Sequence, residues 1–125
     1  MLNELVYKEV PNFETKEFQS KRKKYCLCIP VINEGDRIIK QLQRATDFGI
    51  SELVDIIICD GDSTDGSTNE DKLKALNVNT LLTKKDFGKQ GAQLRMGFWF
   101  ALNRGYEGII TIDGNNKDSI ESVPL

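Results

Sequence analysis

The chain is predicted to fold as an α/β domain, a mainly parallel sheet with helices on both faces. Three observations carry the prediction. Four short apolar runs alternate with stretches whose apolar residues fall at helical spacing. The runs are apolar at consecutive positions, as in strands covered on both sides, and do not alternate as in a sheet with one wet face. Elements in this order build right-handed βαβ units around a parallel sheet.

Residues 1–24 read as a polar, irregular lead-in, broken by Pro11 and closed by Lys21-Arg22-Lys23-Lys24. Such a basic run serves either as a solvated approach to a strand or as a contact to phosphate or a membrane surface. The domain itself spans 25–125. Its first strand is Tyr25 to Ile32, with Pro30 near the C-terminal end, where a ladder bond can be lost. Asp36 to Phe48 follows as a helix, with Ile38, Ile39, Leu42, Ala45 and Phe48 at helical spacing and Gly49 as its stop. Leu53 to Cys59 is the second strand. The polar loop Asp60 to Thr68 leads into a short helix carrying Leu73 and Leu76, and Val78 to Thr83 is the third strand. Asp86 opens a longer helix running to about Asn103, whose Phe98, Trp99 and Phe100 read as core or interface packing. Gly108 to Ile112 is the fourth strand and ends in Asp113-Gly-Asn-Asn-Lys-Asp118. A sheet cut after four strands leaves an edge and an apolar helix face uncovered, so self-association into a homo-oligomer is expected.

Bulk properties narrow the function classes. At 125 residues the chain is about one domain, and its net charge of −2 gives no footprint for nucleic acid. No apolar run approaches the roughly 20 residues that cross a bilayer. The N-terminus lacks the basic-then-apolar order of a secretory signal, so the expected location is the cytoplasm or the cytoplasmic face of a membrane. Cys26, Cys28 and Cys59 read as small packing residues, because free cysteine is commonly buried and a zinc site needs more ligands. The chain has no histidine, which excludes Ser-His-Asp and Cys-His catalysis within it. Acid–base chemistry would fall to Asp, Glu, Lys, Tyr or Cys, and no residue is assigned as catalytic.

In an open parallel sheet, ligands bind outside the carboxyl ends of the strands. Three segments bring polar or acidic residues to that edge: Pro30-Val-Ile-Asn-Glu34, Asp60-Gly-Asp-Ser-Thr-Asp-Gly66 and Asp113-Gly-Asn115. Asp60 directly follows an apolar strand, and its ionised carboxylate can accept from the N–H of a uracil or guanine ring. Asp65 or Ser67 either serves the same loop or caps the next helix. A calcium loop is disfavoured, since the third acid falls at position 6 where that motif needs glycine. An Asp-x-Asp pair would hold Mg²⁺ or Mn²⁺ against a diphosphate. Here Asp113 is followed by Asn115, a weaker neutral ligand, and Lys117 offers positive charge instead. Gly88-Lys89-Gln90-Gly91 opens the long helix, where Lys89 or Arg95 can meet phosphate or sugar; Arg95 reads equally as a surface helix residue. This opening matches neither the P-loop nor the dinucleotide-binding glycine pattern.

In this order the segments resemble the family 2 glycosyltransferases of GT-A fold, including the dolichyl-phosphate mannosyltransferase-like members. The family's Pro-x-x-Asn-Glu strand end is matched by Pro30-Val-Ile-Asn33-Glu34, and its acidic second strand end by Asp60-Gly-Asp-Ser-Thr-Asp-Gly-Ser-Thr68. Its glycine-lysine helix start is matched by Gly88 to Gly97 with one residue of offset, and its Asp-x-Asp by Asp113-Gly-Asn115. The similarity covers roughly residues 25–124 and identifies the Rossmann-like, nucleotide-binding half of a GT-A domain, truncated relative to a full one.

The resemblance implies that Pro30, Val31, Asn33, Glu34 and Asp60 line a nucleotide pocket. It places Asp113 and Asn115 at the diphosphate or at a Mg²⁺ or Mn²⁺ ion. A UDP- or GDP-sugar is the implied donor. A lipid phosphate or polysaccharide is the implied class of acceptor, whose site and catalytic base fall beyond this region. Two positions depart from the pattern: Gly61 replaces the second Asp of the acidic pair, and Asn115 the second Asp of the metal motif. A degenerate or regulatory nucleotide-binding module is the alternative. A nucleotidyltransferase is disfavoured because Val31-Ile-Asn-Glu-Gly35 stands where a glycine-rich basic signature belongs.

Overall fold

A computed structural model describes residues 10–86 and 90–113. In chain order the elements are β1 (Phe13–Glu17), β2 (Tyr25–Val31), α1 (Asp36–Asp47), β3 (Asp55–Asp60), α2 (Glu70–Ala75), β4 (Thr80–Lys84), α3 (Gln90–Arg104) and β5 (Gly108–Thr111), with a 3₁₀ turn at Ile50–Glu52. The described strands form one five-stranded sheet in the order β1-β4-β3-β2-β5. β2 pairs in parallel with β3 and β5, β3 pairs in parallel with β4, and only β1 runs antiparallel. The chain is therefore an α/β protein with a mostly parallel mixed sheet, consistent with a Rossmann-like fold.

Strand order decides where a ligand can bind. From β2 the chain steps outward to β3 and β4, then returns through α3 to place β5 on the other side of β2. The reversal lies between β2 and β5, and such a switch point opens a crevice at the carboxyl ends of the strands. The ladder between these two strands runs from Tyr25–Gly108 to Cys28–Thr111 and stops short of Pro30. β2 reaches further on its other side, where Val31 is level with Asp60.

Alternate strand residues enter two separate cores, as the period of two requires. Leu27, Ile29, Val31, Ile56 and Ile58 pack with Ile38, Leu42 and Ala45 of α1 and Leu73 of α2. Cys26, Cys28, Ile57, Cys59 and Leu82 pack with Met96, Phe100 and Ala101 of α3. The cysteines are free, buried packing residues. Contact with Cys28 and burial push the Cys26 thiol up; Cys28 is pulled down by Cys26, but Cys59 and burial raise it overall. Such thiols stay protonated and are poor nucleophiles.

Several expectations shift. The lead-in contains an edge strand, β1, whose Phe13 meets the Trp99 ring edge-on at 5.9 Å while Glu17 pairs with Arg104 of α3. β3 starts at Asp55, later than expected, because Ile50–Glu52 turns as a 3₁₀ helix and the Val54 N–H bonds to the Ile50 carbonyl. β4 starts at Thr80 because the Val78 N–H closes onto the Leu73 carbonyl of α2. Phe48, expected on the apolar side of α1, is 62% exposed, since it is the C-cap beyond the last helical turn. The basic run lies at the amino end of β2, away from the switch-point edge, where the Arg22 and Lys23 N–H groups bond to Asp55. Among the described residues no helix is long and apolar enough to cross a membrane.

Candidate functional site

The carboxyl ends of β2 and β3 carry two loops that are bonded directly to each other. The Asn33 N–H donates to Ser63 Oγ at 2.9 Å, and the Thr64 N–H donates to Asn33 Oδ1 at 2.8 Å. The Gly35 N–H donates to Asp65 Oδ2 at 3.0 Å, and the Gly61 N–H donates to the Val31 carbonyl at 2.8 Å. Asn33 and Asp62 hold positive φ (46° and 75°), a conformation tolerated by Asn and Asp whose retention at a sheet edge marks an over-determined loop.

Asp60 sits beneath this junction, 2% exposed. Ser63 donates to it twice, from N–H at 3.1 Å and from Oγ at 2.6 Å, and Thr68 Oγ1 donates at 3.2 Å. A relay therefore runs from the Asn33 amide through the Ser63 hydroxyl to the Asp60 carboxylate. Burial raises the Asp60 carboxyl above its usual range, the bonds from Ser63 and Thr68 draw it back, and Asp62 adds to the rise. A carboxyl whose folded pKa is raised favours the fold most below its ordinary value of 3.8 and loses that contribution as pH rises through the folded value. Asp60→Asn cannot ionise. Its stability relative to the parent is therefore expected to increase as pH rises from the ordinary value of 3.8, read by urea unfolding; a pH-independent difference contradicts this.

Asp65 does not cap the next helix. Asn69 does, accepting from the Lys72 N–H at 3.2 Å. Asp65 instead links the loops, with its carboxyl held below the usual range by Ser67 and then by the Gly35 N–H.

The sequence-predicted residues divide into four sets. Pro30, Val31, Asn33, Glu34 and Asp60 come together at the ends of β2 and β3. Within this group Val31 is 1% exposed and its carbonyl accepts from the Gly61 N–H and from Gln93, so it supports the edge from beneath and offers it no side-chain surface. Glu34 faces Arg37 at 3.2 Å. Asp113 stands on the far side of β2, just after β5, where the amide of Gln41 donates to its carbonyl at 2.9 Å. Arg95 is half-buried on α3, with its guanidinium folded back beside Gly91. Lys89, Asn115 and Lys117 lie outside the described residues, so the expected Asp113–Asn115 pair is placed only at Asp113. Among the described residues no group of three or more acidic or cysteine side chains is arranged to hold a metal.

Gln93 was not expected at the site. Its Nε2 donates to the Val31 carbonyl at 2.8 Å and to the Cys59 carbonyl at 2.9 Å, bridging the ends of β2 and β3 from α3. It also crowds position 61. A side chain at Gly61 would begin 3.1 Å from Gln93 Oε1 and 3.2 Å from Ile32 Cδ1, so the bridge leaves little room for one. The available signal was a polar residue between Ala92 and Met96, inside the apolar stripe of the helix.

Comparison with family models, curated proteins and solved structures returned no significant match.

Proposed function

We propose that this chain binds the nucleotide part of a nucleotide-diphosphate sugar across the β2/β5 switch point, as the donor-binding half of a family 2-like, GT-A glycosyltransferase with helices on both sheet faces. One observation supports this reading above the rest. The sheet reverses its order beside β2, and the motif-bearing loops of β2 and β3 meet in a bonded junction at that edge. Asn33 and Glu34 present the polar surface for the nucleoside, with Asp60 behind them. Asp113 lies across β2, where the diphosphate would extend. A Mg²⁺ or Mn²⁺ ion fits the oxygen chemistry of Asp113, but a single carboxylate leaves most ligands to the diphosphate and water. The sugar would pass to a lipid phosphate or polysaccharide through acceptor groups supplied beyond these residues, in the cytoplasm or at its membrane face, with self-association through the sheet edge.

A second reading, a nucleotide-binding module without transfer, rests on Asp60. Both of its oxygens already accept from Ser63 and Thr68, which leaves less of the carboxylate for a base. Titration calorimetry with UDP, GDP and their sugars, with and without Mn²⁺, tests the shared premise. Saturable binding of at least one is expected, and no heat from any at millimolar concentration overturns the proposal. Release of nucleotide from the bound sugar donor separates a transferase from a binding module.

A further inference from the structure

Gln41 is a fully buried polar residue on the apolar side of α1, alongside Ile38, Leu42 and Ala45. Its Nε2 donates to the Asp113 carbonyl at 2.9 Å, while its Oε1 is buried without a hydrogen-bond partner. The orientation follows from chemistry: a carbonyl can face only the NH₂ end of the amide, so the oxygen is the atom left over. Among the described residues two other buried side-chain oxygens lack a hydrogen bond, Glu34 Oε2 and Ser67 Oγ. Glu34 Oε2 has Arg37 at 3.2 Å, and Ser67 lies against the Asp65 carboxyl. Gln41 Oε1 has neither kind of neighbour among the described residues.

For the fold alone this is a poor choice of residue. A leucine would extend the stripe of α1 with similar volume, and an unpaired buried acceptor costs more than one neutral hydrogen bond contributes. Buried polar groups kept against local stability call for an explanation, and such exceptions are expected at functional sites. The single bond that Gln41 makes is informative. Ile112 packs into the same core as α1, and Gln41 fixes the next residue, Asp113, where the chain leaves the sheet at the switch point.

We infer that Gln41 is a positioning residue that pins the backbone of Asp113 from α1, so that Asp113 meets the ligand in a fixed geometry. This rests on the nucleotide-sugar reading for its ligand, but not for the pinning itself.

The test uses Gln41→Leu and Gln41→Met in the full chain, each alone and combined with Asp113→Ala. Melting temperatures are expected at or above the parent value, or no more than about 5 °C below it. Backbone order at the Asp113 amide, read by ¹⁵N relaxation, is expected to drop from about 0.85 to below about 0.6. Affinity for UDP or GDP, whichever the parent binds, is expected to fall about tenfold, with no further loss when Asp113→Ala is already present. Unchanged Asp113 order in both variants overturns the inference. So does unfolding of both, which would make Gln41 a structural brace, and so does parental affinity in a variant whose Asp113 is loosened. If the parent binds neither nucleotide, the proposed function falls, and the relaxation result alone decides the role of Gln41.

Discussion

Asp55→Ala is expected to lower the stability of the fold by about 3–5 kcal/mol, measured by urea unfolding. Asp55 opens β3 and is 1% exposed. One oxygen, Oδ2, accepts from the Arg22 N–H at 2.8 Å, the Lys23 N–H at 3.2 Å and the Tyr106 hydroxyl at 2.6 Å. The residue therefore ties the approach to β2 and the approach to β5 to the strand between them in sequence. Alanine strands all three donors, and each stranded buried donor costs about 1–3 kcal/mol, with some relief from relaxation and water at the partly exposed amides. Burial first, and Asp55 second, raise the Tyr106 hydroxyl above its usual range, so it remains a donor throughout the stable pH range of the fold. Asp55→Asn keeps an oxygen that can turn to the same three donors, and loses only charge assistance, about 1–2 kcal/mol. The network lies at the amino ends of the strands, opposite the proposed site. Asp55→Asn is accordingly expected to leave nucleotide affinity unchanged below its melting range, which makes it a control for variants at the other edge.

The Asp55 network joins segments that no local pattern in the sequence connects. Strands β2 and β3 are legible within the runs Tyr25 to Ile32 and Leu53 to Cys59, because each run is nearly all apolar and too short for a helix, although both bounds of β3 shift in the structure. α1 is legible from its spacing, and the candidate loops from their polar residues directly after those strands. β1 is not legible: Phe-Glu-Thr-Lys-Glu carries one apolar residue, and its strand character comes from the backbone edge that β4 offers it. The charges that hide it in the sequence are those an exposed edge strand carries. Asp55 sits inside an apolar run with nothing nearby to explain it, because its hydroxyl partner is 51 residues away. Gln41 and Gln93 have the same character. Each is a polar residue on an apolar helical stripe, and each acts on a backbone carbonyl at a strand end 34 to 72 residues distant. Periodicity reports which face is buried, while the partner of a buried amide is a property of the assembled sheet.

Gly97→Leu is expected to cost about 3 kcal/mol or more, and to disturb the proposed site although it lies well inside α3. A Cβ at Gly97 would stand 2.6 Å from Cys59 Sγ and 3.3 Å from Cys28 Sγ, so the absence of a side chain lets α3 lie directly on the cysteine face of the sheet. Gln93 is four residues earlier and on the same side of the helix. The close seat at Gly97 is what brings its amide within 2.8 Å of the Val31 carbonyl and 2.9 Å of the Cys59 carbonyl. Lifting the helix to admit a leucine would therefore withdraw the bridge between the two strand ends that carry the Asn33 and Asp60 loops. Gly97→Ala separates overpacking from helix propensity: about 1–3 kcal/mol of strain set against about 0.5–1 kcal/mol gained by replacing a mid-helix glycine. If the clash is with sulfur, Cys59→Ala should recover about 1–2 kcal/mol of the Gly97→Ala cost in a double-mutant cycle. Additivity within error would mean that α3 is set on the sheet by other contacts. A recovered stability with unrecovered nucleotide affinity would mean that the helix seats but Gln93 no longer reaches the strand ends.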